Sequence, residues 1–214
     1  MSVLEIYDYL KAFDLLRNSP KYWWPNAGSF EVVIGTVLTQ NTTWTNVEKS
    51  LHNLGEHLTL ESFLKLDEEE LKRCIRPSGF YNQKAPRLLA LAKSVKEDFD
   101  SFERFQKEVS REWLLARKGI GKESADAILC YACLRPTMVV DAYTKRVLSR
   151  FSIYYKEYDE YKNFLETGVR ENWEKLGRDH EENPTLFYAH FHGMFVEYAK
   201  MMRNEQTVIT KLSN

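Results

Sequence analysis

Apolar residues recur along most of this chain at the three- and four-residue spacing of amphipathic helices. The first such set comprises Val3, Ile6, Tyr7, Leu10, Phe13 and Leu16. The segment 30–38 is apolar at most positions, which predicts a helix buried on most sides. The same pattern predicts helices that begin near positions 81, 122, 142, 159 and 186. Strand-like alternation is confined to 138–140, so we predict an all-α fold.

Polar residues sharpen the predicted helix boundaries. Asp67 precedes three consecutive glutamates, the pattern of an N-cap followed by an acidic first turn. That helix is predicted to end before Pro77 and Gly79. Asp141 likewise stands directly before the helix predicted over 142–151. Taken alone, Asp141 is therefore interpreted as a helix cap, the commonest role of an aspartate in that place.

The composition fits a soluble protein with one sizeable core or two small ones, since 43% of the 214 residues are hydrophobic. A net charge of −1 is not that of a strongly basic nucleic-acid binder. The segment 117–150 nevertheless holds only three acidic residues against seven basic ones, namely Arg117, Lys118, Lys122, Arg135, Lys145, Arg146 and Arg150.

The chain shows no pattern of a signal peptide, and no apolar run approaches the ~18–20 residues of a membrane helix. We therefore expect a cytoplasmic protein without a membrane partner. Its three cysteines do not make a disulfide framework. Cys130 and Cys133 form a C-x-x-C on an apolar helix, and we interpret both as small core residues.

Gly119-Ile120-Gly121 stands between two predicted helices. Two glycines with this spacing make a tight hairpin, because glycine tolerates positive φ and lets the backbone approach a ligand closely. The helix predicted from Lys122 would point backbone N–H groups outward, an arrangement that suits a phosphate oxygen. A plain helix-connecting turn is the commoner explanation of G-x-G on its own.

Four ordered segments resemble the helix-hairpin-helix DNA glycosylases that include endonuclease III. They are VLTQNT at 37–42, SGFYNQKA at 78–85, the hairpin KGIG at 118–121, and VDAYTKRV at 140–147. The arginine of the last segment comes one position earlier than in the family pattern, and Arg117 and Lys118 replace the hairpin's usual leucine and proline. The resemblance implies that Asp141 is the catalytic aspartate.

Two departures indicate a branch within this superfamily. Glu123 stands where strand-cutting members carry a Schiff-base lysine, and a carboxylate cannot form the imine. No cysteine follows Cys133, whereas the family's iron–sulfur cluster needs four cysteine ligands near the C-terminus. With these two departures and the segment YWWPNA at 22–27, the chain resembles the subfamily of 3-methyladenine DNA glycosylase III. The resemblance implies a monofunctional base-excision-repair glycosylase for alkylated purines, with no cofactor, no iron–sulfur cluster and no bound metal.

The resemblance also implies a set of site residues and partners. A base pocket is expected from Trp23, Trp24, Pro25, Trp44, Glu123 and Lys200. Contacts to DNA are expected from Gln40, Asn41, Gly119, Ile120, Gly121 and Lys122. The partner is double-stranded DNA with a damaged base, bound by a monomer, and nucleoid-associated if the protein is bacterial.

The expected architecture is a helical barrel domain over 25–136 and a second helical domain built from 1–24 and 137–214, with the active site in the cleft between them.

Three alternative functions stay open at this point. One is a bifunctional glycosylase/lyase of the endonuclease III type, and another is a non-catalytic helix-hairpin-helix module that binds DNA. An adenine-mismatch glycosylase is the third.

Overall fold

The computed structural model describes the backbone of residues 1–212 and the side chains of residues 1–203. Within that part the chain is helical without a strand, as the hydrophobic pattern predicts. The extended segment 138–140 pairs with no other segment as a strand in the described chain. Contacts divide the chain into one unit of Met1–Pro25 with Pro136–Asn214 and another of Asn26–Arg135. The helical barrel domain expected over 25–136 and the second domain expected from 1–24 and 137–214 stay a prediction.

The unit of Asn26–Arg135, here called the central unit, carries eight α-helices among its described residues. They are α2 (Phe30–Leu38), α3 (Trp44–Leu54), α4 (Leu60–Phe63), α5 (Glu68–Ile75), α6 (Tyr81–Phe99), α7 (Phe102–Glu108), α8 (Arg111–Leu115) and α9 (Lys122–Ala127). A 3₁₀ turn at Arg76–Ser78 follows α5, and a π-helical turn at Ile128–Ala132 follows α9.

Helix α2 forms the centre of this unit, since every one of its residues except Glu31 is buried. This burial confirms the helix predicted over 30–38. Asp67 caps α5 by accepting a hydrogen bond from the Glu70 amide, as its sequence context predicts. Cys130 and Cys133 are buried next to α9, which confirms their interpretation as core residues.

The unit built from both ends of the chain, here called the terminal unit, contains α1 (Val3–Lys11), α10 (Ala142–Arg150), α11 (Tyr158–Glu171), α12 (Trp173–Leu176) and α13 (Pro184–Leu212). The long helix α13 packs against α10 and α1, and α1 also packs against α11. Phe187, Phe191 and Phe195 lie on the buried face of α13 at four-residue spacing. This apolar stripe holds α13 against the rest of the unit.

Candidate active site

Asp141 is the N-cap of α10, and one of its carboxylate oxygens is fully engaged there. Oδ1 accepts hydrogen bonds from the Thr144 amide at 2.7 Å and from the Thr144 hydroxyl at 2.9 Å. The free amides at a helix start favour a negative charge. The cap therefore fixes one oxygen of an ionised carboxylate and leaves Oδ2 for other partners.

His192 of α13 lies beside that second oxygen. Its Nε2 is 3.5 Å from Asp141 Oδ2, and the side chains of both residues are largely buried, with 4% and 16% exposed. Burial raises the pKa of Asp141, but the His192 imidazole beside Oδ2 and the two hydrogen bonds from Thr144 outweigh it. The net result is a pKa below the ordinary aspartate value, so Asp141 is ionised at neutral pH.

Sequence reasoning did not find His192 as a neighbour of Asp141. Its spacing from His190 argues only that the two do not share a helix face, and it carries no information about α10. The contact joins two helices far apart in the sequence and depends on how α13 packs against α10. No local motif signals such a contact.

The segment that leads into Asp141 is held by polar groups of α11. Glu166 accepts a hydrogen bond from the Met138 amide at 2.9 Å, and the Tyr158 hydroxyl oxygen accepts one from the Val140 amide at 3.3 Å. Lys162 binds the Met138 carbonyl at 3.2 Å and Glu166 at 2.7 Å. It also contacts the Thr137 hydroxyl. These bonds replace strand pairing for the extended chain and fix where α10 begins.

Trp23 and Trp24 lie in the same unit as Asp141. The Trp23 ring meets the His192 ring edge to face, with centroids 5.3 Å apart and an interplanar angle of 88°. Its indole N–H donates to Glu197 at 3.2 Å. Lys200 binds the same carboxylate at 2.9 Å, and its ammonium is 6.0 Å from the Trp23 ring centroid.

Gly193 explains how Trp23 packs so closely on α13. A Cβ atom at this position would lie 2.5 Å from Trp23 Cγ, far inside van der Waals contact. Trp24 is buried with its ring centroid 6.2 Å from that of Trp23, and Pro25 is half-buried. Trp23, Trp24, Asp141 and Lys200 are thus part of one unit.

The predicted hairpin lies in the central unit between α8 and α9. Gly119 adopts φ +87°, and a Cβ there would come 2.7 Å from Arg87 Cδ. Gly121 is the N-cap of α9, followed by the exposed residues Lys122 and Glu123. The Ile120 side chain is buried and its amide donates to the Arg117 carbonyl, so this residue supports the turn from inside.

Gln40 and Asn41, both expected to contact DNA, have different environments. The Gln40 amide nitrogen donates to the Gly119 carbonyl and to the Ser124 hydroxyl, both at 3.0 Å. Asn41 is exposed, at φ +55°. Lys84 supports this segment by donating to the Leu38 carbonyl at 2.9 Å, and burial lowers the pKa of Lys84 to about 8. Trp44, the first residue of α3, is half-buried.

In the described residues, no group of three or more histidine, cysteine, aspartate or glutamate side chains is arranged to hold a metal ion. Over the same residues, no helix combines the length and the apolar character that crossing a membrane requires.

Residues 34–173 match the family model of the HhH-GPD superfamily of base excision DNA repair proteins, and the chain belongs to this superfamily. It is similar to a solved structure of a 3-methyladenine DNA glycosylase of H. pylori, MagIII, bound to 1,N6-ethenoadenine. The two chains are 47% identical with a TM-score of 0.90, over 94% of this chain and 99% of the other.

Two other relatives are similar to this chain at lower sequence identity. A putative DNA repair glycosylase of Methanocaldococcus jannaschii, MJ1434, is 40% identical over 83% of this chain and 80% of its own length. A non-covalent complex of endonuclease III with DNA is 20% identical with a TM-score of 0.70, over 92% of this chain and 85% of the other, which shows the fold alone. The superfamily resemblance found in the sequence is thereby confirmed.

Proposed function

We propose that this protein is a monofunctional DNA glycosylase that hydrolyses the N-glycosidic bond of flipped-out alkylated purines such as 3-methyladenine. The observation that carries the proposal is Asp141, a mostly buried carboxylate with a lowered pKa, one oxygen tied to a helix start, and two tryptophans in the same unit. The similarity to an alkyladenine glycosylase supports the choice of substrate class.

An alkylated purine needs little help from the protein to leave the sugar. Alkylation at N3 or N7 makes the purine cationic, so the base departs without prior protonation. The remaining task is to stabilise the positive charge that develops on the sugar, and a preorganised carboxylate does so best where water is scarce. Because Oδ1 of Asp141 is held by Thr144, Oδ2 is the oxygen that faces the sugar and orients or deprotonates the attacking water.

Recognition of the base rests on aromatic faces, since a flat cation gains ~0.5–2 kcal/mol from each cation–π contact. Trp23 and Trp24 are the proposed walls, with Pro25 beside them. Lys200 pairs with Glu197 and approaches the Trp23 ring, so its proposed role is to fix that wall. Trp44 and Glu123 of the central unit are proposed as further pocket residues on the strength of the resemblance.

DNA is proposed to bind at the hairpin, with a backbone phosphate received by Gly119, Gly121 and Lys122 and the turn supported from inside by Ile120. Extrusion of the damaged nucleotide costs a few kcal/mol and leaves a hole in the duplex. Asn41, exposed on its turn, is the residue proposed to fill that hole. Gln40 contributes indirectly, because its amide braces the Gly119 carbonyl.

The hairpin is tested by Gly119→Ala. Alanine at this position would have to adopt the positive φ of Gly119 at a cost of about 1 kcal/mol, and its Cβ would collide with Arg87. Because both effects distort the turn, we expect roughly tenfold weaker binding of duplex DNA in fluorescence anisotropy. Gly79→Ala is the matched control, because φ is +68° there and nothing lies within 4 Å of the new Cβ. Equal affinity of the two variants would remove the hairpin from the DNA interface.

The catalytic proposal is tested with methylated duplex DNA and chromatography of the released bases. Asp141→Asn keeps an acceptor for the cap but removes the charge, so we expect the release rate of 3-methyladenine to fall roughly 10³-fold. Asp67→Asn is the matched control, since Asp67 caps α5 with the same bond length. No release by the wild type, with DNA binding intact, would assign another lesion class or a binding module.

The monofunctional character is tested in the same reactions by adding borohydride. A Schiff-base mechanism leaves a reduced covalent adduct between enzyme and DNA. We expect no adduct and an intact strand at the abasic site, because Glu123 stands at the lysine position of the strand-cutting enzymes. A trapped adduct would instead assign the bifunctional class of endonuclease III.

A further inference from the structure

We propose that His192 is a positioning residue of this active site, whose imidazole holds Asp141 Oδ2 and fixes the distance from the carboxylate to the Trp23 wall. This inference rests on the proposed glycosylase function and deepens it. It concerns one buried side chain that contacts both the group proposed to stabilise the sugar and the ring proposed to stack on the base.

The contact with Asp141 supplies the first half of the argument. Oδ1 is held by Thr144, so rotation of the carboxylate is limited by whatever faces Oδ2. The facing atom is His192 Nε2 at 3.5 Å, and an imidazole with its proton on Nε2 donates in that direction. This separation is longer than an ordinary hydrogen bond, as catalytic contacts often are before substrate binds.

The contact with Trp23 supplies the second half. The two rings meet at 88° with centroids 5.3 Å apart, and the next residue, Gly193, leaves room for the indole against the helix. Trp23 is also held at its indole N–H by Glu197. His192, Gly193 and Glu197, on two consecutive turns of α13, therefore hold Trp23, and His192 is the one of the three that also reaches Asp141.

A fixed spacing between the carboxylate and the stacking wall matters because the sugar and the base of one nucleotide must meet both at once. A misplacement of about 1 Å in such an arrangement costs roughly 10²-fold in rate. The groups that lower the pKa of Asp141 are the His192 imidazole from α13 and the amide and hydroxyl of Thr144 from its own helix, while burial raises it. Loss of the imidazole therefore also removes an influence that keeps the pKa of Asp141 low.

Two substitutions separate the donor from the ring. His192→Phe keeps an aromatic ring against Trp23 and removes the donor, whereas His192→Gln keeps an N–H donor at similar reach and removes the ring. We expect His192→Phe to slow single-turnover release of 3-methyladenine roughly tenfold without weakening binding to a duplex with an abasic-site analogue. His192→Gln should restore the rate to within about threefold of the wild type, because the donor to Oδ2 returns.

A titration of the Asp141 side-chain carboxyl by ¹³C NMR gives a readout that needs no enzymatic activity. His192→Phe should raise the pKa of Asp141 and move the acid limb of the rate profile upward, and His192→Gln should return both. His190→Phe is the matched control on the same helix, since His190 binds the Lys21 carbonyl at 2.7 Å rather than Asp141.

The outcomes separate this proposal from the proposed function. Failure of the wild type to release any base would overturn the function, and the NMR titration would still decide whether His192 holds Asp141. An unchanged pKa of Asp141 in His192→Phe would overturn the positioning role. Equal loss of rate in both variants would do the same and would make His192 a packing residue only.

Discussion

The starts of α5 and α10 are built from the same local chemistry. Asp67 and Asp141 each occupy the N-cap, and each accepts the amide of the third helical residue at 2.7 Å. A carboxylate at this place satisfies one free amide and interacts favourably with the helix dipole. From the sequence alone, both residues are helix caps.

The surroundings of these two caps differ. Asp67 is exposed and is followed by three glutamates, so its charge is one of several in water. The Asp141 side chain is 16% exposed, and its second oxygen faces His192. Burial of a charge is costly unless other groups compensate it, and here Thr144 and His192 do so. A cap becomes a candidate catalytic group when tertiary structure withdraws it from water and keeps it ionised.

The largest difference between the two helix starts is expected from a substitution in α11, which holds the segment that leads into α10. Lys162→Met removes the cation that binds Glu166, Thr137 and Met138, and it leaves Glu166 mostly buried without its lysine. Breaking such a pair typically costs 3–5 kcal/mol, so we expect the free energy of unfolding to fall by about 3 kcal/mol. Chemical denaturation measures it.

The control for that loss belongs to α5. Lys72 pairs with Glu68, four residues before it, and with Glu69, three residues before it, and both glutamates are far more exposed than Glu166. Lys72→Met should change stability far less, because exposed pairs contribute little. If the two variants lost the same stability, the α11 contacts would not be what fixes the start of α10.

The sequence predicts the helices and the caps of both regions. Periodicity located α2, α6 and α10, because an amphipathic stripe is a local pattern that tertiary packing rarely overrides. Asp67 and Asp141 were located as caps for the same reason. The catalytic role proposed for Asp141 rests on the resemblance, since no local feature separates its cap from that of Asp67.

Contacts between elements were beyond the sequence. His192 faces Asp141 only because α13 packs on α10, and Glu166 reaches Met138 only because α11 lies beside the extended segment. Gln40 illustrates the same limit in the central unit. Its contact with DNA stays a prediction, whereas the bonds of its amide to Gly119 and Ser124 join residues far apart in the sequence and carry no local signal.

A smaller loss of stability is expected from substitution of the third residue of α10. Thr144→Val keeps the backbone amide that binds Asp141 Oδ1 and removes only the hydroxyl, which is fully buried. A lost hydrogen bond to a charged group costs about 1.5 kcal/mol, so we expect that loss of stability with a higher pKa of Asp141 and a severalfold slower release of base.

Thr144→Ser restores the hydroxyl and should recover both stability and rate, which separates the hydrogen bond from the loss of volume. In α5 the corresponding residue is Glu70, and Glu70→Ala should stay within about 0.5 kcal/mol of the wild type in denaturation, as surface substitutions do. A valine variant with unaltered rate and an unaltered Asp141 titration would mean that the hydroxyl adds nothing to the cap. The two helix starts would then differ through His192 and burial alone.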